Sequence, residues 1–210
     1  NEEKARKWQA EVKAQGYDIK IYQADVSDFD ACTNLVKNIT ADLGPVDILV
    51  NNAGITKDVT LRKMTKAQWD AVMEINIDSL FNVTKQVVDG MLERGWGRII
   101  NISSINGQKG QIGQTNYCTS KAAIHGFTMA LAQEVARKGV TVNTVSPGYI
   151  ATDMVMAVPE EIRKQIIAMI PVGRLGTSEE VAAMVEFLAS HQAGFTTGAD
   201  FSMNGGQHMM

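Results

Sequence analysis

Two cysteines in 210 residues, Cys32 and Cys118, are too few for a disulfide framework, and neither sits in a Cys-x-x-Cys or Cys/His metal spacing. Such sparing use points to a reducing compartment, the cytoplasm. Only four prolines are present and aromatics make up 6% of the chain, which excludes collagen-like and proline-rich classes. No apolar run approaches the roughly 18 residues that would span a bilayer, so no membrane embedding is expected. A basic surplus is also missing. Twenty Lys and Arg against 23 Asp and Glu leave a net charge of −3, which gives no footprint for nucleic acid or acidic lipid. The three histidines, His125, His191 and His208, are scattered without ligand-like partners, so no metal site is expected. The chain opens Asn1-Glu2-Glu3-Lys4, without a starting Met or the apolar core of a signal peptide. It reads as a chain entered partway through.

What is present is a globular composition, 45% hydrophobic, of a size suited to one domain over residues 1–210. Short apolar runs alternate with amphipathic stretches. Helices are expected at Glu2–Gln15, Ala31–Leu43, Thr65 to about Arg94, Asn116–Lys138 and Pro159–Ile170. Another should open at the capping box Thr177-Ser178-Glu179-Glu180. Strands are expected at Ile19–Ala24, Val46–Val50 (short, apolar, suited to full burial), Arg98–Ile102, Val140–Val145 and Asp200–Met203. Strands alternating with long helices imply βαβ units and a parallel sheet covered on both faces, an α/β fold. Residues 154–176, with Met154, Met156 and Met169 along them, read as a lid over a substrate.

In such a sheet ligands gather beyond the carboxyl ends of the strands. Here those ends are small or polar: Asp25-Val26, Asn51-Asn52-Ala53-Gly54, Ser103-Ser104 and Ser146-Pro147-Gly148. Tyr117 and Lys121 share a helix face at i, i+4, with Ser104 at the end of the preceding strand. A phenol of ordinary pKa near 10 is a poor acid or base at neutral pH. A fixed ammonium nearby is expected to lower that pKa and let the hydroxyl exchange protons with a substrate oxygen, which Ser104 would also bind. Gly107, Gly110 and Gly113 have the wrong spacing for a phosphate loop and read as a flexible substrate loop. Asn76, by its own chemistry, reads as a solvent-facing helix residue.

Asn51-Asn52-Ala53-Gly54, Ser104, Tyr117-x-x-x-Lys121 and Pro147-Gly148, in that order and βα context, resemble the short-chain dehydrogenase/reductase family from Gly16 onward. The resemblance implies a Rossmann-type doubly wound sheet, with Tyr117 as catalytic acid/base and Ser104 polarising the substrate carbonyl. It implies that Lys121 lowers the Tyr117 pKa and holds the nicotinamide ribose. Asn76 would be the fourth catalytic member, holding a water in a proton relay. It assigns the cofactor to Asp25, Val26, Asn52, Ala53, Gly54, Tyr117, Lys121, Pro147, Gly148, Ile150 and Thr152.

Within the family, the runs Asn106–Tyr117 and Pro147–Met154 are most similar to the branch that reduces acetoacetyl-CoA to (R)-3-hydroxybutyryl-CoA with NADPH for polyhydroxybutyrate synthesis. A sister branch acts on 3-oxoacyl groups carried by acyl carrier protein. Gln111, Gln114 and Tyr149 favour the CoA branch, and by the same likeness Asp58, Gln111, Gln114, Gly148 and Tyr149 contact the acyl-CoA. A non-catalytic scaffold is the reading of another class, and the intact Ser104, Tyr117, Lys121 and Asn76 set argues against it. The resemblance further implies a homotetramer, paired through helices carrying Phe81, Val88, Ala122, Ala130, Leu131 and Ala132. It implies too that a first strand, a glycine loop and a second strand precede Glu2 in the family. Either Glu2–Ala24 is therefore expected to be displaced or paired elsewhere, with the nucleotide site empty and activity lost, or the sequence omits residues that are physically present.

Overall fold

A computed structural model describes residues 2–209, apart from the side chain of Met154. The strands are β1 (Ile48–Asn51), β2 (Gly97–Ile102), β3 (Val140–Pro147) and β4 (Asp200–Met203). They form one parallel sheet in the order β1-β2-β3-β4. The helices are α1 (Glu2–Ala14), α2 (Phe29–Leu43), α3 (Lys66–Met73), α4 (Ser79–Arg94), α5 (Ile105–Lys109), α6 (Thr115–Val135), α7 (Asp153–Met156), α8 (Glu160–Ala168) and α9 (Ser178–Ala189). Parallel strands need crossover connections, and α4, α6 and α9 supply them.

Successive side chains of a strand point to opposite faces, so a strand covered on both sides feeds two cores. Ile99, Val140 and Val142 face one way and pack with Val87, Val88 and Met91 of α4 and Ala132 and Val135 of α6. Ile100 and Val145 face the other way, onto Leu188 of α9 and its half-buried Val181, Met184 and Val185. Both faces of β2 and β3 are covered, as the continuous apolar sequence predicts. Val88 and Ala132, expected at a subunit contact, lie instead in the first core, 9% and 3% exposed.

A polar row crosses this interior. Asn51 Nδ2 donates to Thr84 Oγ1 (3.1 Å) and to Asn101 Oδ1 (2.9 Å). Asn101 Nδ2 donates to Thr128 Oγ1 (2.9 Å), and Thr128 pairs with Thr144 at 2.8 Å. The row links three adjacent strands to α4 and α6. A one-residue slip of any strand would strand these buried groups without partners.

The sequence-predicted strand Val46–Val50 is covered on one face only. Ile48 and Val50 are 44% and 40% exposed, because α9 packs over β2 and β3 and does not extend across β1. The predicted strand Ile19–Ala24 forms no ladder. Its Tyr22 hydroxyl donates to Asp42 Oδ2 of α2 (2.9 Å), and the residues just after it are held by the body. Asn82 Nδ2 of α4 donates to Val26 O and Ser27 O (3.0 and 3.1 Å), and Phe29 stacks on Phe81.

The predicted continuous helix from Thr65 is interrupted by a π-turn, Glu74–Asp78. Asn76 lies inside it and is fully buried, not solvent-facing. The capping boxes at Thr65 and Thr177 form as expected. Gly107 belongs to α5, a short helix rather than a flexible loop. In the span 154–176, α8 buries none of its residues, and a single parallel bridge, Ile150 to Gly176, closes its base.

At the opposite end of the sheet Arg98 is 3% exposed. Its guanidinium donates to Ser190 O (3.1 Å), Gly97 O (2.8 Å) and Gly139 O (3.3 Å), and lies over the Trp96 ring. Gly139 has φ +75°, and a Cβ there would lie 2.2 Å from Gly95 O, so no other residue fits the turn. Arg98 thus joins β2, the turn before β3 and the end of α9. Arg98→Ala is expected to lower stability by about 3 kcal/mol, since charge-assisted bonds to buried carbonyls are lost. Urea unfolding at pH 7 checks this, and a loss below about 1 kcal/mol would contradict it.

Candidate functional site

Three parallel strands end on one edge, and the chain leaving each carries the polar residues singled out in the sequence. Asn52, Ser104, Tyr117, Pro147, Gly148, Ile150 and Thr152 line a cavity of about 500 Å³ at that edge. Ser104 follows β2 and caps α5. Its Oγ accepts from Asn106 N (3.2 Å), and it shares the cavity wall with Tyr117. Tyr117 rises from the first turns of α6, its backbone N–H taken by Asn116 Oδ1 (2.8 Å).

Burial pushes the Tyr117 phenol up from its ordinary value, opposed by the hydrogen bond from Ser104. The expected lowering by Lys121 is not what the geometry produces. Lys121 Nζ lies 5.7 Å from the Tyr117 ring centroid and donates to Ile102 O at 2.8 Å. Lys121 is itself 4% exposed, and burial brings its pKa down to about 8. The result is a neutral phenol near an ammonium, each pushed toward the uncharged form by burial.

Asn76 closes the floor. Its Oδ1 accepts from Ile55 N (2.8 Å), and its Nδ2 donates to Ile55 O (3.1 Å) and Ser120 Oγ (2.9 Å). Ser120 Oγ in turn donates to Tyr117 O (2.8 Å). The loop after β1 is thereby tied to α6, which explains why the helix widens at this residue. A Cβ on Gly54 would lie 3.4 Å from both Asn76 Oδ1 and Lys121 Nζ, so Gly54, Asn76 and Lys121 converge.

Around the rim, Gln114 Nε2 donates to Asp58 Oδ2 (2.7 Å), and its Oε1 accepts from Asn106 Nδ2 (2.9 Å). The exposed Gln111 side chain takes Lys109 Nζ at 3.2 Å. Tyr149 and Ile150 line a neighbouring cavity of about 390 Å³ with Ile170 and Val172. Ala53 is exposed on the loop between Asn52 and Gly54.

Asp25 and Val26 do not line the main cavity. The Asp25 carboxylate accepts from Ser27 N and Oγ (3.0 and 2.6 Å), and these bonds hold its pKa below the usual carboxylate range. Sequence patterns gave no role at the site to His125, Gln108 and Asp200, which form with Ser103 a connected polar cluster beneath Ser104 and Lys121. The available signal was the placement of His125 four residues beyond Lys121 and of Ser103 beside Ser104. Among the described residues no group of three His, Cys, Asp or Glu side chains is placed to hold a metal, and no helix is long and apolar enough to cross a membrane.

The arrangement can hold an oxygen atom between two hydroxyls and pass it a proton. Comparison with known proteins agrees with that chemistry. Residues 1–163 match the family described as short chain dehydrogenase. An acetoacetyl-CoA reductase of Cupriavidus necator is 60% identical over 209 residues, covering 100% of this chain and 85% of that protein. Nodulation protein G of Azospirillum brasilense is 57% identical, covering 98% of this chain and 84% of that protein. The 3-oxoacyl-[acyl-carrier-protein] reductase FabG of Vibrio cholerae is 46% identical over 89% of this chain and 76% of that protein. With the hydroxyl pair, the buried lysine and the parallel sheet in place, the chain belongs to the short-chain dehydrogenase/reductase family.

Proposed function

We propose that this protein reduces acetoacetyl-CoA to (R)-3-hydroxybutyryl-CoA with NADPH, in the cytoplasm, supplying units for polyhydroxybutyrate. The observation that carries the reading is that Ser104 and the half-buried Tyr117 line one cavity at the strand ends, with the Lys121 ammonium 5.7 Å from the Tyr117 ring. It is supported by the names and high identity of the relatives. The nearest alternative substrate is the same 3-oxoacyl group on acyl carrier protein, as in the name of the Vibrio cholerae relative.

The residues fit a nicotinamide nucleotide. Tyr117 and Lys121 present a hydroxyl and an ammonium suited to a ribose diol, with the loop Asn52–Gly54 and the segment Pro147–Thr152 flanking the same cavity. When bound, the cofactor supplies a hydride to the carbonyl carbon. Ser104 and Tyr117 both hydrogen-bond the ketone oxygen, which takes the electron pair of the C=O bond as that carbon is reduced. Tyr117 gives this oxygen its proton. The developing alkoxide is a far stronger base than a phenolate, so the transfer is downhill even with the phenol pKa raised. The hydrogen bond from Ser104 favours the phenolate until it is reprotonated. Asn76 holds the floor of the site, and Asp58, Gln111, Gln114, Gly148 and Tyr149 contact the acyl-CoA. The thioester is untouched.

We also place the protein in a homotetramer. A groove of about 520 Å³ between α4 and α6 is lined by Phe81, Leu92, Phe127, Ala130 and Leu131. Phe81 is 55% exposed on this groove, an apolar face suited to a closed symmetric pairing.

NADPH oxidation by the full-length protein tests the activity, with acetoacetyl-CoA run beside the acyl-carrier-protein thioester. Preference for the CoA thioester is expected, and Tyr117→Phe should lower turnover at least about 100-fold with little change in cofactor affinity. Near-normal turnover in that variant removes Tyr117 from the mechanism. Light scattering on full-length protein at micromolar concentration should give a tetramer mass, and a monomer mass contradicts it.

Lys121 adds a pH signature. Its ordinary pKa of 10.5 falls to about 8 in the folded chain, so between these values the unfolded chain binds the extra proton. Stability is lost as pH falls from about 10.5 to about 8, by roughly 3 kcal/mol. Lys121→Met lacks this term. Its stability relative to the unsubstituted protein should be most favourable below pH 8 and decline by about that amount up to pH 10.5. Paired urea titrations without cofactor check this, and a pH-independent difference contradicts it.

A further inference from the structure

Beneath the Ser104–Tyr117 pair lies a polar cluster that the proposed chemistry does not use. His125 stands one helical turn beyond Lys121 on α6 and shares its face. Its Nε2 lies 3.1 Å from Ser103 Oγ, 3.4 Å from Ser146 Oγ and 3.4 Å from Asp200 Oδ2. Ser103 and Ser146 are buried, and the His125 and Asp200 side chains are 22% and 17% exposed.

The protons of this cluster can be placed from its geometry. Ser103 Oγ donates to Lys121 O at 2.8 Å, and Ser146 Oγ donates to Asp200 Oδ1 at 2.6 Å. A hydroxyl has one proton, so each serine offers His125 only a lone pair, and the Asp200 carboxylate is an acceptor as well. Three acceptors around one ring nitrogen require it to carry the proton. The trio is therefore not a nucleophile with its base. There the carboxylate and the serine face opposite ring nitrogens, whereas here they share Nε2, and the Ser103 proton is committed to the backbone.

Ser103 lies between the two groups that matter at the site. Ile102 before it accepts the Lys121 ammonium, and Ser104 after it carries the hydroxyl beside Tyr117. Asp200 reaches the same place from another side. Gln108 Nε2 of α5 donates to Asp200 Oδ2 and Ser202 Oγ, both at 2.6 Å, and Ser104 caps α5. Beside Gln108, a Cβ on Gly107 would lie 2.8 Å from the Lys121 carbonyl carbon, so α5 sits directly on α6.

We infer that His125 and Asp200 are positioning residues for the reduction: through Ser103 and Gln108 they fix the end of β2 and the cap of α5 against the Lys121 turn, and so the spacing of the Ser104 and Tyr117 hydroxyls. The inference rests on the functional reading above. Small misplacements of reacting groups cost large factors in rate while leaving binding nearly intact. His125→Leu removes the N–H that holds Ser103 as a one-way donor. His125→Gln restores an N–H at comparable reach.

Steady-state kinetics and thermal melts on the full-length protein test the inference. His125→Leu is expected to lower kcat about tenfold, with KM for acetoacetyl-CoA and NADPH affinity within about twofold and melting nearly unchanged. His125→Gln is expected to recover kcat to within about threefold of the unsubstituted protein. Unchanged kcat in the Leu variant overturns the inference, as does an equal loss in both variants that follows their melting temperatures. A ¹H–¹⁵N spectrum of the imidazoles adds a readout independent of turnover: His125 should carry its proton on Nε2, and an Nδ1-only tautomer overturns the inference. No turnover by the unsubstituted protein would instead overturn the functional reading, and the ring-nitrogen signal would then decide the cluster by itself.

Discussion

One pair of reciprocal bonds holds the site together. Lys121 Nζ reaches across to Ile102 O, and Ser103 Oγ reaches back to Lys121 O. Two adjacent residues at the end of β2 thus grip the side chain and the backbone of a single residue of α6. With both ends fixed, the first turns of α6 have one place to sit. Tyr117 stands over the carboxyl end of the sheet because Lys121 cannot move along it. Both groups are desolvated, so each bond is worth more than its counterpart at the surface.

The polar row Asn51–Asn101–Thr128–Thr144 serves the same end one layer deeper. Apolar packing alone is tolerant of small slips, since one β-branched residue fills much the same space as the next. A row of amides and hydroxyls that must meet donor to acceptor is not. The register of three strands is set immediately below the residues that need it, and the site inherits that precision.

Much of this was legible in the sequence, and the reasons are specific. Arg98–Ile102, Val140–Val145 and Asp200–Met203 were recognisable because buried parallel strands are short apolar runs between helices and turns. Ser104, Tyr117 and Lys121 were legible because i, i+4 spacing survives folding unchanged. Ile19–Ala24 misled because local pattern reports the tendency to extend, not the presence of a neighbour to pair with. Asn76 misled because a π-turn leaves no mark in propensity: Ile55 and Ser120, its partners, are 21 and 44 residues away. His125 and Asp200 were passed over for the same reason, being 75 positions apart in the chain. The direction of the Tyr117 shift was misjudged because spacing places a cation near a phenol but says nothing of how dry the pocket is.

The widened turn at Glu74–Asp78 has a consequence for how this stretch of chain can vary. A π-turn takes up one residue more than the α-helical turns on either side, and each residue of an α-helix advances its neighbours by about 100°. Deleting a single residue from the turn would let the backbone run on as uninterrupted helix, with every hydrogen bond of that ladder regained. Without the wider turn, an added residue would rotate α4 by that angle relative to α3; the turn absorbs it, so α3 and α4 keep their relative setting and the deletion would leave Asn82 on Val26 and Ser27 and Thr84 on Asn51. What the deletion takes away is the local step of the backbone that carries Asn76 to Ile55 and Ser120. The cost of the extra residue is confined to one turn, and so is its use.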